Sequence, residues 1–272
     1  MSSRLLVVVL ALLSVLAAIE ANTHHRHASA ADKNRPQLRF AEERHGGIEE
    51  MTRTDSRYLR KPCLRPPKPS ARAQLVKSYP RTWEFPGFEA SLPQAWDWRN
   101  VNGINYAGPS RNQHIPVYCG SCWVFGGVGT LSDRFNVARR NRWPPTFLSP
   151  QEIIDCGGRG NCQGGSVTDV FEYAKEKGLV HEDCNVYRAT NGKCDDFHRC
   201  GSCWPDNCFA IQNYTRYFVK DYGEVMGREN MMSEIFIRGP IACSIGATQK
   251  FELNYTGGVY AEKLTLEVSR IG

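Results

Sequence analysis

Eleven cysteines in a chain of 272 residues constrain the fold more than any other feature of the sequence. A count that high belongs to an oxidising compartment, because cytosolic thiols are kept reduced. An odd count leaves at least one thiol outside any set of internal pairs. That thiol is a reactive group, half of an intermolecular bridge, or a cysteine whose partner is missing. Ten of the eleven fall in residues 92–272, and Cys63 stands apart from them. Hydrophobic residues make up 41% and charged residues 23%, a globular balance that excludes a wholly disordered chain.

The net charge of +6 is unevenly placed. Residues 22–91 hold 14 Lys and Arg against 8 Asp and Glu, whereas residues 92–272 hold 19 of each. The cysteine-rich part therefore carries no concentrated basic surface, and no nucleic-acid partner is expected for it. Met1–Arg4 is a short basic start, Leu5–Ile19 is apolar apart from Ser14, and Ala21 follows among small residues. That is the pattern of a secretory signal peptide over 1–21, too short to span a bilayer comfortably. No second long apolar run exists, so no membrane span is expected in the mature chain. The sequons at Asn213 and Asn254 agree with the secretory pathway and with a lysosomal or extracellular destination.

Residues 22–91 show little periodicity. The stretch from Lys61 to Pro69 contains four prolines and reads as an extended basic arm. His24, His25 and His27 open this leader, but a flexible histidine cluster is weak support for a metal site, and no metal or other cofactor is expected. The texture changes at Leu92-Pro93-Gln94-Ala95-Trp96, which places the leader boundary near residue 91. After Cys122, the residues Val124, Val128, Leu131 and Phe135 fall on one helical face. Gly126, Gly127 and Gly129 oppose that helix by roughly 1 kcal/mol each. Ser149-Pro150 with Glu152 predicts a second helix to Asp155 opened by a capping box. A third is predicted over Val167–Lys177, stopped by Gly178. Residues 181–222 read as loop, and alternation from Ile241 onward predicts strands.

One pentapeptide occurs twice, as Cys119-Gly120-Ser121-Cys122-Trp123 and as Cys200-Gly201-Ser202-Cys203-Trp204. It could hold zinc, serve as a redox dithiol, or set a nucleophile beside structural cysteines. Paired Cys-x-x-Cys zinc ligands lie about 15–20 residues apart. These copies start 81 residues apart, which disfavours zinc. A redox dithiol should follow a strand, but Asn112–Pro116 is polar and broken by proline. The second copy runs into Pro205-Asp206-Asn207-Cys208 and reads as disulfide scaffold. The first opens the predicted helix, where unpaired N–H groups favour a thiolate and can hold an oxyanion. Cys122 is therefore the better nucleophile.

With those residues in view, the chain resembles the papain-like cysteine proteases. CGSCW at 119–123 matches the segment around that family's nucleophile, and Asp97-Trp98-Arg99 matches the start of its mature enzymes. Ser149–Cys156 matches its second helix, and Cys162-Gln163-Gly164-Gly165 matches the segment that binds substrate backbone. The resemblance covers about residues 92–260. It implies an α+β, disulfide-rich, two-domain papain-like fold over residues 92–262, with a helical left domain and an incomplete β-rich right domain. It also implies a monomer that acts on peptide or protein C-termini. In most of the family a glutamine of the oxyanion hole lies six residues before the nucleophile. Here that position is Pro116 and the glutamine is Gln113, so His114-Ile115-Pro116 resembles the short insertion of a carboxypeptidase branch. On this resemblance Cys122 is the nucleophile, Gln113 an oxyanion donor, and Gly164 and Gly165 align substrate. His114 anchors the terminal carboxylate, as a histidine can when protonated near its unperturbed pKa of about 6.5. The implied disulfides are Cys119–Cys162, Cys156–Cys194, Cys184–Cys200 and Cys203–Cys208. Cys63 of the propeptide, residues 22–91, would cap Cys122.

One part of the chemistry is not found. A cysteine protease needs a histidine to take the thiol proton, roughly 130–150 residues beyond the nucleophile in this family. The window 252–272 contains none; the seven histidines are at 24, 25, 27, 45, 114, 181 and 198. After Glu262 the sequence no longer resembles the family, so residues 263–272 read as an aberrant tail. The expectation is a C-terminally truncated or mispredicted chain that lacks its catalytic histidine and asparagine and is inactive as written. The alternative is a non-catalytic, disulfide-stapled binding or regulatory form. Cys243 would then be the unpaired cysteine.

Overall fold

The computed structural model describes residues 63–65 and 80–262, all within one compact unit that begins at Leu59. The signal peptide, His24, His25 and His27, most of the leader, and the tail 263–272 lie outside the described residues.

Helix α1 spans Cys122–Ala138 and buries Val124, Val128 and Leu131 on the predicted face. It packs on α3, Val167–Glu176, through the buried Val170 and Ala174. Gly127 makes that approach possible: a Cβ there would stand 2.9 Å from the Val170 side chain. The helix propensity lost at Gly127 is offset by close packing. The last turns of α1 are tied to the following chain. Asn136 Oδ1 accepts from Thr146 N–H at 2.7 Å, and buried Ser132 Oγ accepts from Leu148 N–H at 3.1 Å.

Helix α2, Pro150–Cys156, starts at Ser149, whose Oγ accepts from Glu152 N–H at 3.1 Å. The reciprocal half of the predicted capping box is not made. Ser149 N–H donates to Val180 O instead, and the Glu152 carboxylate reaches Val180 N–H at 2.8 Å, Arg216 Nη2 at 2.8 Å and Tyr173 OH at 3.1 Å. Tertiary partners outcompete the local one because Glu152 is fully buried, where an unpaired backbone donor and a guanidinium both require an acceptor. Helix α3 ends at Glu176, one residue short of the predicted Lys177, which is its C-cap, and Gly178 follows at φ +71°.

The 181–222 segment contains more structure than predicted. A short helix α4, Asp196–Arg199, leads into strands β1, Gly201–Trp204, and β2, Asn207–Ala210. They pair antiparallel, with Cys203 opposite Cys208. Pro205-Asp206 supplies the two-residue turn, so the second CGSCW copy is one arm of a stapled hairpin. Helix α5, Arg228–Arg238, is held to α1 by Arg134, both of whose terminal nitrogens reach Glu234 Oε1 at 3.0 Å. The 3₁₀ turn Thr82–Glu84, which the sequence assigns to the leader, packs on the same helix, with Thr82 Oγ1 donating to Glu234. Beyond it, residues 241–248 are irregular and Gln249–Asn254 forms helix α6, where strands were predicted. A strand's backbone groups need a partner strand, and none lies beside this segment among the described residues. The fold is mixed α and β, and hairpin β1–β2 is its only sheet among the described residues.

Asp97 and Arg99 satisfy each other at the surface, whereas half-buried Trp98 between them donates from Nε1 to Ile235 O of α5 at 2.7 Å. Arg99 donates its N–H and its guanidinium to the Asp97 carboxylate, with Nη2 at 2.7 Å. These hydrogen bonds, the side-chain one foremost, lower Asp97 from 3.8 to about 2. A depressed carboxylate stabilises the fold above its unfolded value and loses that contribution as pH falls toward about 2. NMR titration of the Asp97 carboxyl should give a midpoint near 2, and Arg99→Ala should return it toward 3.8. Equal midpoints in the two proteins would refute this assignment.

Candidate active site

Cys122 is the first residue of α1 and so stands at the positive end of the helix dipole. Its approach is fixed from both sides. Gly120 N–H donates to Cys162 O at 2.7 Å, and a Cβ at Gly120 would stand 2.8 Å from that oxygen. The Cys119–Cys162 disulfide staples the same two strands of chain together. On the other side Trp123, 1% exposed, lies flat against Gly160 and Gly165 and donates from Nε1 to Asn161 O at 3.3 Å. A Cβ on Gly165 would come within 2.5 Å of the indole. Helix α1 and the Gly164-Gly165 segment are thus held as one unit.

The leader occupies that unit. Cys63 is disulfide-bonded to Cys122. Leu64 pairs in parallel with Gly165, whose N–H donates to Cys63 O at 3.0 Å and whose carbonyl accepts from Arg65 N–H at 2.7 Å. Arg65 Nη2 adds a bond to Gln163 O at 3.1 Å. Gly164, at φ +111°, admits the leader: a Cβ there would stand 2.8 Å from Cys63 O. The remaining disulfides are Cys156–Cys194, Cys184–Cys200 and Cys203–Cys208, and Cys243 is a free, exposed thiol.

Gln113 lies on the irregular stretch that approaches Cys119. Its carbonyl accepts from Tyr187 OH at 2.6 Å, and its Nε2 lies 3.2 Å from His114 Nε2. His114 is exposed and stacks on Tyr118 with centroids 4.6 Å apart. His181 and His198 are engaged elsewhere, with Asp183 and Asp195. Asn213 and Asn254 are both exposed. Among the described residues, no group of three or more His, Cys, Asp or Glu is arranged to hold a metal, and no helix is long and apolar enough to cross a membrane. Tyr187 had no sequence signal: it sits in an aperiodic cysteine-rich stretch 66 residues from Ser121, whose Oγ it meets at 2.8 Å.

The helix opened by Cys122, the glycine segment and the stapling disulfide form one arrangement, and comparison with known proteins gives it a class. The chain belongs to the papain family of cysteine proteases, whose family description matches residues 92–271. It is similar to Cathepsin Z of Onchocerca volvulus, with 51% identity over 75% of this chain and 67% of that one. It is also similar to Pro-cathepsin H of Bos taurus, with 30% identity over 62% of this chain and 45% of the relative. Among solved structures, a cysteine protease of Carica candamarcensis in complex with E-64 matches with a TM-score of 0.47 and 22% identity, over 63% of this chain and 71% of that one. The chain therefore spans about two thirds of one of these curated relatives and under half of the other.

Proposed function

We propose that this chain carries the nucleophile and the substrate-aligning residues of a cysteine-type carboxypeptidase, held as a zymogen in the secretory pathway and directed to the lysosome or the extracellular space. One observation carries the reading: an extended peptide segment lies hydrogen-bonded through both backbone groups of Gly165, with its cysteine on Cys122. A substrate would take the same backbone partners once the leader is released, with its scissile carbonyl near Cys122. Cys122 attacks that carbonyl. The Cys122 N–H and the Gln113 side-chain amide receive the oxyanion. Gly164 and Gly165 align the peptide, and protonated His114, exposed on the same loop as Gln113, receives the terminal carboxylate. Acidic pH favours that state. Asn213 and Asn254 are the proposed glycosylation sites.

Turnover also needs a histidine beside Cys122 to take the thiol proton. His114 is assigned to the carboxylate, and His181 and His198 are paired elsewhere. On this reading residues 1–272 by themselves bind peptides without turning them over, as the non-catalytic alternative also requires.

The test uses the full chain with Cys63→Ser. Peptides with a free C-terminal carboxylate should protect Cys122 from iodoacetamide about tenfold better than their C-terminal amides at pH 5, and His114→Ala should erase that preference. Equal protection by acid and amide defeats the carboxypeptidase assignment. Peptide hydrolysis by this chain defeats the missing-base assignment.

A further inference from the structure

The stretch from Gln113 to Cys119 contains no regular element, includes Pro116, and exposes Ile115, Val117 and Tyr118. Chain connectivity alone does not hold Gln113 in a fixed relation to Cys122, nine residues later in the sequence. The link comes from a distant residue. Tyr187 OH lies 2.6 Å from Gln113 O and 2.8 Å from the Oγ of Ser121, which is fully buried. The direction of these bonds is determined. A carbonyl only accepts, so the single phenolic proton goes to Gln113 O, and Ser121 must donate to the Tyr187 oxygen.

The ring that carries this hydroxyl is itself braced. Tyr187 N–H donates to Glu182 Oε1 at 3.0 Å, and Glu182 receives both terminal nitrogens of Arg111, at 2.5 and 3.2 Å. The Arg111 guanidinium lies over the rings of Phe125 and Phe147, with its carbon 5.1 and 4.6 Å from their centroids. Phe125 of α1 in turn meets the Tyr187 ring edge to face at 4.8 Å. The hydroxyl is therefore fixed to the same helix that presents Cys122.

We infer that Tyr187 is a positioning residue of the Cys122 site, tying the Gln113 loop to Ser121, the residue that precedes the nucleophile. It touches neither substrate nor sulfur. It keeps the Gln113 amide and the Cys122 N–H in one frame, so that both donors meet the same oxyanion. The inference rests on the proposed roles of Gln113 and Cys122, and it adds two residues that those roles do not contain.

The experiment uses the full chain with Cys63→Ser and a peptidyl aldehyde. The Cys122 sulfur adds to the aldehyde carbon, the C=O π pair moves to oxygen, and that oxygen takes the thiol proton or is held by the two donors. Aldehyde affinity is read as protection of Cys122 from iodoacetamide, whose alkylation of the thiolate forms no oxyanion. Tyr187→Phe and Ser121→Ala should each weaken aldehyde binding about tenfold, and the double variant no more than either alone, because the hydroxyls act as one chain. The iodoacetamide rate without aldehyde should stay within about twofold of the parent, which a general loosening of the site would not allow. If Tyr187→Phe does not fold, Ser121→Ala alone decides. Unchanged aldehyde affinity in the variants, or an equal change in the alkylation rate, overturns the inference. Failure of the parent to bind the aldehyde overturns the proposed function beneath it.

Discussion

Replacing Cys63 with serine is expected to raise the alkylation rate of Cys122 at least about a hundredfold, because a disulfide sulfur is not a nucleophile whereas a helix N-terminal thiolate is a strong one. In the parent chain Cys122 is joined to Cys63, and the described cysteine left to react is Cys243. Site-resolved mass spectrometry after iodoacetamide should therefore find label at Cys243 in both proteins and at Cys122 only in the variant. The leader would still have its two backbone bonds to Gly165. Each contributes about 0.5–1.5 kcal/mol net, so together they shield the sulfur by no more than roughly a hundredfold. Leu64 and Arg65 are exposed and add little buried area to that hold. An unlabelled Cys122 in Cys63→Ser would show that the backbone pairing, and not the disulfide, keeps the site closed.

What could be read beforehand depended on how local its cause was. The apolar face of α1, the Ser149 start of α2 and the Gly178 stop of α3 follow from residues within a few positions of each other, and the structure has all three. Gly127 looked like a defect in α1 because its reason, the Val170 side chain, lies 43 residues away. Glu152 read as half of a capping box because the motif names only near neighbours, while Arg216 and Val180 N–H compete from far along the chain. Alternation after Ile241 suggested strands, but a strand is a property of a pair, and no partner stands beside that segment among the described residues. In the site, CGSCW singled out Cys122 through the helix that follows it. Tyr187 stayed invisible because hydroxyls become a chain only when three separate segments meet.

Glu152→Ala is expected to destabilise the folded part by about 3 kcal/mol, since it leaves the fully buried Val180 N–H without an acceptor and takes away the carboxylate that the part-exposed Arg216 faces. Its carboxylate is the shared acceptor for Arg216 Nη2, Val180 N–H and Tyr173 OH. Val180 is itself fully buried, so no water replaces the acceptor its N–H loses. For a domain of this size the melting midpoint should fall by about 10 °C. Glu152→Gln keeps an acceptor for Val180 N–H but not the charge facing Arg216, and should lie between the parent and the alanine variant. The pH dependence separates charge from shape. Burial, the largest influence, pushes Glu152 above the usual carboxylate value of 4.5, against the pull of Arg216. A carboxyl raised on folding favours the fold while protonated, and that preference is lost as pH rises from 4.5 through the higher folded value. The parent should therefore lose stability relative to Glu152→Gln across that interval, measured by urea unfolding at a series of pH values. A constant difference between the two proteins would mean that Arg216 outweighs burial and that Glu152 stays ionised throughout.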